Sequence, residues 1–173
     1  MITSNKLLFV KILIKDLLNK GLTLSTCESC TSGEICSTLT NIEGSSKVVQ
    51  GGYITYSNEQ KIRVGVSKEI IDKYGVYSQE CAISMAKTCK ELSKTNIGIG
   101  VTGTLGNLDD SNKDSQIGVV HFAFVINDEI YKDTIHLEKH ELNLQRDEQK
   151  LLIVVQVLIS LYTKLTIIND KES

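Results

Sequence analysis

Apolar residues at Leu7, Val10, Ile14, Leu17 and Leu18 recur at helical spacing, and Gly21 follows as a terminator. Leu22 to Cys27 alternates over a short length and predicts a strand, and Thr31 to Thr40 predicts a helix starting directly after it. Val48 to Tyr56 reads as a strand holding Gly51 and Gly52. Two short helices are expected at Glu59 to Val64 and Lys68 to Tyr74. Ser78 opens a stronger helix with apolar positions Ala82, Met85, Ala86, Cys89 and Leu92. Ile97 to Val101 is a buried-type strand, and Gly103 to Ser115 is a polar loop. Ile117 to Ile126 and Glu129 to Leu137 form a hairpin around Asn127-Asp128. In Leu144 to Leu165 the Ile/Val content suits a strand, while the length favours a helix. Interleaved strands and helices predict an α/β layered sandwich.

The chain has 173 residues, which fits a single domain over 1–173. Nineteen basic residues stand against 21 acidic ones without a Lys/Arg block, so nucleic-acid binding has no electrostatic support. The N-terminal apolar run, Leu7 to Val10, is too short for a signal-peptide core or a membrane span. Leu151 to Ile159 is broken by Gln156 and is also shorter than a span. A buried element, no membrane association and a cytoplasmic location are therefore expected. Five cysteines, an odd number, are expected to be reduced. The apolar C-terminal segment exceeds what one small core covers, so a homodimer is expected.

Thr26 to Gly33 reads Thr-Cys-Glu-Ser-Cys-Thr-Ser-Gly. A strand ends, a turn of small residues follows, and a helix begins. Free amides at a helix start suit a Ser29 nucleophile with an adjacent oxyanion site. The plainer reading is that Ser29 or Thr31 caps the helix. Cys27-x-x-Cys30 suggests a redox pair, or half of a zinc site with His136 and His140. No second cysteine pair supports zinc, and buried, unreactive thiols are expected. Gly98-x-Gly100-x-x-Gly103 matches the dinucleotide fingerprint in letters, but a polar loop follows it instead of a helix. Thr102 and Gly103 still stand at a strand end, where α/β sheets bind ligands. Ser84-x-x-Lys87 lies on an amphipathic helix with no partner motif. After the glycine-containing strand, Lys61 is either solvated or a base, with Tyr56 as a proton relay or orienting group. As a base it needs a pKa well below the free value of about 10.4.

Taken together, these segments resemble the C-terminal domain of the CinA family, also found as a stand-alone nicotinamide mononucleotide deamidase. The likeness runs from about Leu7 to Leu165. It rests on residues 26–33, where the family usually has A-E-S-C-T-G-G, on Gly44-Ser45-Ser46, and on Gly51 to Lys61. It continues at Tyr74 to Ser78, where the family favours H-G-A-V-S, then at Gly100 to Gly103 and Gly118. The resemblance implies a three-layer α/β/α sandwich that hydrolyses the carboxamide of nicotinamide mononucleotide without a metal or cofactor. By that resemblance Ser29 attacks the amide carbon, and Lys61 takes the proton with Tyr56 assisting. Amides of Cys30, Thr31, Ser32 and Gly33 hold the oxyanion, Thr102 and Gly103 adjoin the ligand, and Arg146 and Lys150 bind the phosphate. Ser32 replaces a family glycine, Thr104-Leu105-Gly106-Asn107 replaces I-A-G-P, and the loop to Ser115 lacks the usual glycine and proline. That altered loop keeps open a second reading, a weak or inactive nucleotide-binding protein of the same fold. The resemblance is to the C-terminal domain alone, so the pyrophosphatase activity linked to the larger N-terminal domain is not expected.

Overall fold

Two strands are buried along their whole length, and everything else is arranged around them. They are β1 (Leu24–Glu28) and β3 (Ile97–Gly103), adjacent and parallel in a five-stranded sheet of order β2-β1-β3-β4-β5. The computed structural model describes residues 4–172, with side chains for residues 8–168. The side chain of Leu7 lies outside those described. β2 (Val49–Ile54) pairs parallel with β1, whereas β4 (Val119–Ile126) and β5 (Glu129–His136) add antiparallel strands beyond β3. Side chains alternate across β3: Ile97, Ile99 and Val101 face one layer, while Gly98 and Gly100 face the other.

The first layer holds α1 (Ser4–Asn19), α2 (Glu34–Thr40) and α6 (Arg146–Glu172). Their side chains, including Leu13, Leu17, Ile35, Leu39, Val157 and Leu161, pack on the sheet as the main core. The second layer holds α3 (Asn58–Val64), α4 (Lys68–Tyr74) and α5 (Gln79–Ser93). Cys81, Met85 and Cys89 of α5 pack on Cys27 and Val66, and Ala82 and Ala86 pack on Ala123 and Val125. The three-layer α/β/α sandwich is therefore observed.

The C-terminal segment is one long helix, resolving the strand-or-helix ambiguity in favour of length. Arg146–Ile168 is long and apolar enough to cross a membrane. Ile153, Val154, Val157, Leu158, Leu161 and Leu165 are instead buried in the core, so the helix serves as a packing element. Leu92, expected on the apolar face of α5, is 52% exposed. The helix predicted from Thr31 starts only at Glu34. Ser32 and Gly33 take positive φ values of 47° and 95° and hold the chain in a turn.

Chain direction places the site. β1 leaves its carboxyl end into α2 on one face, and β2 leaves into α3, α4 and α5 on the other. The crossovers diverge at the carboxyl ends of β1 and β3, the switch point at which parallel α/β sheets open a crevice. The glycine motif of β3 has a packing role. A Cβ on Gly98 would sit 2.0 Å from the Ala86 carbonyl oxygen, and one on Gly100 2.1 Å from that of Ala82. The backbone of α5 thus lies directly on β3. Gly98→Ala or Gly100→Ala is expected to lower unfolding free energy by about 3 kcal/mol or more, or to prevent folding. Gly21→Ala has open space but a φ of 63°, and is expected to cost about 1 kcal/mol. Urea unfolding of the three variants checks that ranking.

Candidate active site

At the end of β1 the chain turns sharply, and a buried carboxylate holds the turn. Glu28 is 0% exposed. Its Oε2 accepts the amides of Gly33 (3.0 Å) and Ile35 (3.1 Å), and its Oε1 accepts that of Cys36 (2.9 Å). Those donors are the otherwise orphaned N–H groups at the start of α2. Neither Ser29 nor Thr31 caps the helix: Glu28 does so from the strand, and Gly33, at the N-cap position, supplies no side chain.

The other amides of the turn can be accounted for one by one. Ser29 N–H donates to the Val101 carbonyl, Ser32 N–H to that of Ser29, and Glu34 N–H to that of Thr31. The amides of Cys30 and Thr31 donate to no acceptor among the described residues. The oxyanion set implied over residues 30 to 33 therefore narrows to Cys30 and Thr31, because Ser32 and Gly33 are already committed. Thr31 is fully buried with its hydroxyl unpartnered and does not line the cleft, so of these two residues Cys30 is the one at the cleft.

Lys61 reaches the same turn from α3. Ser57 caps that helix by accepting the Gln60 amide, and Gly65 closes it at φ 107°. Lys61 is 1% exposed, and its Nζ lies 2.9 Å from the Thr55 carbonyl oxygen and 3.1 Å from Ser29 Oγ. Burial pushes its pKa below the ordinary lysine value. Among the described residues no carboxylate pairs with it. A neutral amine fits this cage: one N–H donates to Thr55, and the lone pair accepts the Ser29 hydroxyl.

Ser29 lines a cleft of about 660 Å³ together with Cys30, Tyr56, Tyr77, Gly103 and Arg146. Several expected residues are placed differently. Tyr56 is 60% exposed, and its hydroxyl accepts from Arg146 Nη2 at 3.2 Å, so it stands at the mouth and bonds neither Lys61 nor Ser29. Thr102 is fully buried and donates to the Val76 carbonyl, away from the cleft. Gly103 does line the cleft, but its missing Cβ makes room for Val119 and Val120 of the paired strand. Lys150 donates to Ser32 Oγ at 2.6 Å and does not line the cleft, leaving Arg146 as the lining cation. Burial pushes the thiols of Cys27 and Cys30 up to about 11 and about 12. Inert thiols leave the redox reading without support.

Three features were not apparent in the sequence. Glu28 was hidden because an acid ending a buried strand carries no pattern of its own. Gln149, almost fully buried, donates to the carbonyls of Leu142 and Leu144 and so fixes the start of α6, where Arg146 stands. The altered 104–115 loop is also well tied. Tyr77 Oη donates to Asp109 Oδ2 at 2.5 Å, as does Asn112 Nδ2 at 2.6 Å, and Asn58 Nδ2 donates to Asn112 at 2.7 Å. The loop thus forms one wall of the cleft without the expected glycine and proline.

Comparison with known proteins agrees with this architecture. Residues 8–165 match the CinA C-terminal domain. A CinA-like protein of Kosmotoga olearia is 40% identical over 118 residues, covering 68% of this chain and 28% of the relative. The chain thus spans less than a third of that relative's length. The competence/damage inducible protein CihA from Agrobacterium tumefaciens superposes with a TM-score of 0.82 at 29% identity, covering 94% of this chain and 97% of that one. A CinA superfamily protein from Klebsiella pneumoniae shares the fold, with a TM-score of 0.84 at 21% identity over 94% and 99% of the two chains.

Removing the Glu28 carboxylate strands three amides at the start of α2, that of Ile35 buried and those of Gly33 and Cys36 part-buried. Glu28→Ala is expected to lose about 2–3 kcal/mol of stability in urea unfolding. Glu28→Gln, which keeps an acceptor oxygen, is expected to lose less. Equal losses would show that the amides do not depend on the carboxylate.

Proposed function

The chain belongs to the CinA C-terminal domain family, and from that premise we propose that it is an amidohydrolase converting nicotinamide mononucleotide to nicotinate mononucleotide and ammonia. The observation carrying this reading is the 3.1 Å contact between Ser29 Oγ and the buried Lys61 amine. The unpaired Cys30 amide, on the same turn and at the cleft, adds to it. A hydroxyl is a weak nucleophile until a base takes its proton, and a lysine serves only when neutral. Burial without a carboxylate partner favours that neutral form.

In the proposed reaction Ser29 Oγ forms a bond to the carboxamide carbon as its proton passes to Lys61 Nζ. The carbonyl oxygen becomes an oxyanion facing the Cys30 amide. As the tetrahedral species collapses, the C–N bond breaks and Lys61 returns its proton to the departing nitrogen, releasing ammonia. Water then adds to the acyl-serine with Lys61 again as base. The ester bond breaks, Ser29 recovers its proton, and the carboxylate product leaves. Arg146, at the cleft mouth with Tyr56, is the proposed phosphate partner. Tyr56 orients Arg146 and carries no proton.

Ammonia release from nicotinamide mononucleotide is expected from the purified protein. Ser29→Ala should abolish it, and Lys61→Met should lower kcat by about 10²–10⁴-fold, with both variants folded by circular dichroism. Full activity in Ser29→Ala would refute the mechanism. Ligand binding without turnover by the unaltered protein would favour the inactive nucleotide-binding reading. The active lysine is the neutral one, so kcat/KM should rise with pH through an ionisation below the ordinary lysine pKa. That acid limb reports Lys61 in the free enzyme. A profile flat on the acid side would exclude Lys61 as the titrating base.

A further inference from the structure

The cleft carries charge of both signs. Arg146 lines it at the start of α6, and Asp109 lines it from the 104–115 loop. Asp109 is held in place by three donors. Tyr77 Oη and Asn112 Nδ2 both reach Oδ2, and the Ser111 amide reaches Oδ1 at 3.0 Å. Asn58, at the start of α3, extends this chain through Asn112. The carboxylate is thus braced between the segment before α5 and the helix that carries Lys61. Hydrogen bonds from Tyr77, then from Asn112, hold its carboxyl below the usual range, so it stays charged at neutral pH. Burial, then the bond to Asp109, keeps Tyr77 protonated as a donor. The field of Asp109 also acts on the Lys61 amine. Glu59, the other acid lining the cleft, is exposed in the first turn of α3 and has no side-chain partner among the described residues.

A braced anion and a cation on one cleft match a ligand that carries both charges. Nicotinamide mononucleotide is such a ligand, with an anionic phosphate and a permanently cationic pyridinium ring. We propose that Asp109 is a specificity-determining residue, the counter-ion for the positively charged ring, so that the cleft selects N-ribosylated pyridinium carboxamides over carboxamides on a neutral ring. This rests on the reading of the cleft as a nicotinamide-nucleotide site. The phosphate would take Arg146 and the ring would lie along the 104–115 wall, with the carboxamide at Ser29. Loop residues outside the family pattern would then supply part of the selectivity.

Reduced nicotinamide mononucleotide isolates the effect, since it keeps the sugar, phosphate and carboxamide and lacks only the ring charge. Dissociation constants for both ligands are measured calorimetrically on Ser29→Ala, which removes turnover, and again with Asp109→Asn or Tyr77→Phe added. The Ser29→Ala protein should bind the oxidised ligand more tightly. Asp109→Asn should weaken that binding about five- to tenfold and change the reduced ligand's less than twofold. Tyr77→Phe removes a brace but keeps the charge, so it should preserve the direction of preference. Equal affinity for the two ligands before any change at Asp109 would overturn the proposal, whether or not the Asn variant folds. So would equal weakening of both ligands by Asp109→Asn, the mark of a purely structural brace. If the oxidised ligand is neither bound nor hydrolysed, the amidohydrolase reading falls and the counter-ion with it. Turnover with no charge preference removes the counter-ion alone.

Discussion

The site depends on taking one amine out of water. Among the described residues Lys61 has no carboxylate paired with it to offset the loss of hydration, and its Nζ meets only a backbone carbonyl and a serine hydroxyl. In that cage an ammonium and a neutral amine each leave one N–H without a partner, but the ammonium also carries a charge stripped of its hydration. The environment therefore works against the charge and toward a base. The fold maintains it with short elements: Ser57 and Gly65 bound the two turns of α3, and Val66 and Ile71 pack that layer against α5.

The nucleophile side depends on a second buried group of opposite kind. Glu28 is an acid side chain removed from water whose two oxygens accept three amides, and those bonds set the local geometry. By drawing in the amides of Gly33, Ile35 and Cys36 it delays the start of α2 and leaves the Cys30 amide uncommitted beside the cleft. The Ser32–Lys150 hydrogen bond ties the same turn to α6. Serine stands at Ser32 in a left-handed conformation that glycine adopts more easily, and the bond to Lys150 accompanies that departure. The close approach of α5 to Gly98 and Gly100 keeps the central strands packed beneath both halves of the site.

Much of the layer order was legible because it rests on periodicity. The α5 stripe, the β4–β5 hairpin and the short capped helices follow patterns that single residues such as Ser78 and Asn127 punctuate. Element ends were less legible, since the start of α2 is set by a side chain five or more residues away. Ser29 and Lys61 were identifiable as a pair only through the family resemblance, as 32 positions separate them. Tyr56, Thr102 and Lys150 bond to partners that the spacing does not indicate, for one shared reason. Spacing places a residue near a site, but does not determine which neighbour its polar atom bonds. The brace around Asp109 joins residues 58, 77, 109 and 112, and no local motif signals it.

The account is tested most directly at the lysine itself. Carbon-13 labelling of the lysine side chains, with the Lys61 ε-carbon resonance assigned by comparison with Lys61→Met, allows its ionisation to be followed by NMR. If burial beside Ser29 governs the amine, that resonance titrates below those of the exposed lysines. A Lys61 signal titrating along with them, near pH 10.4, would contradict the account at its base.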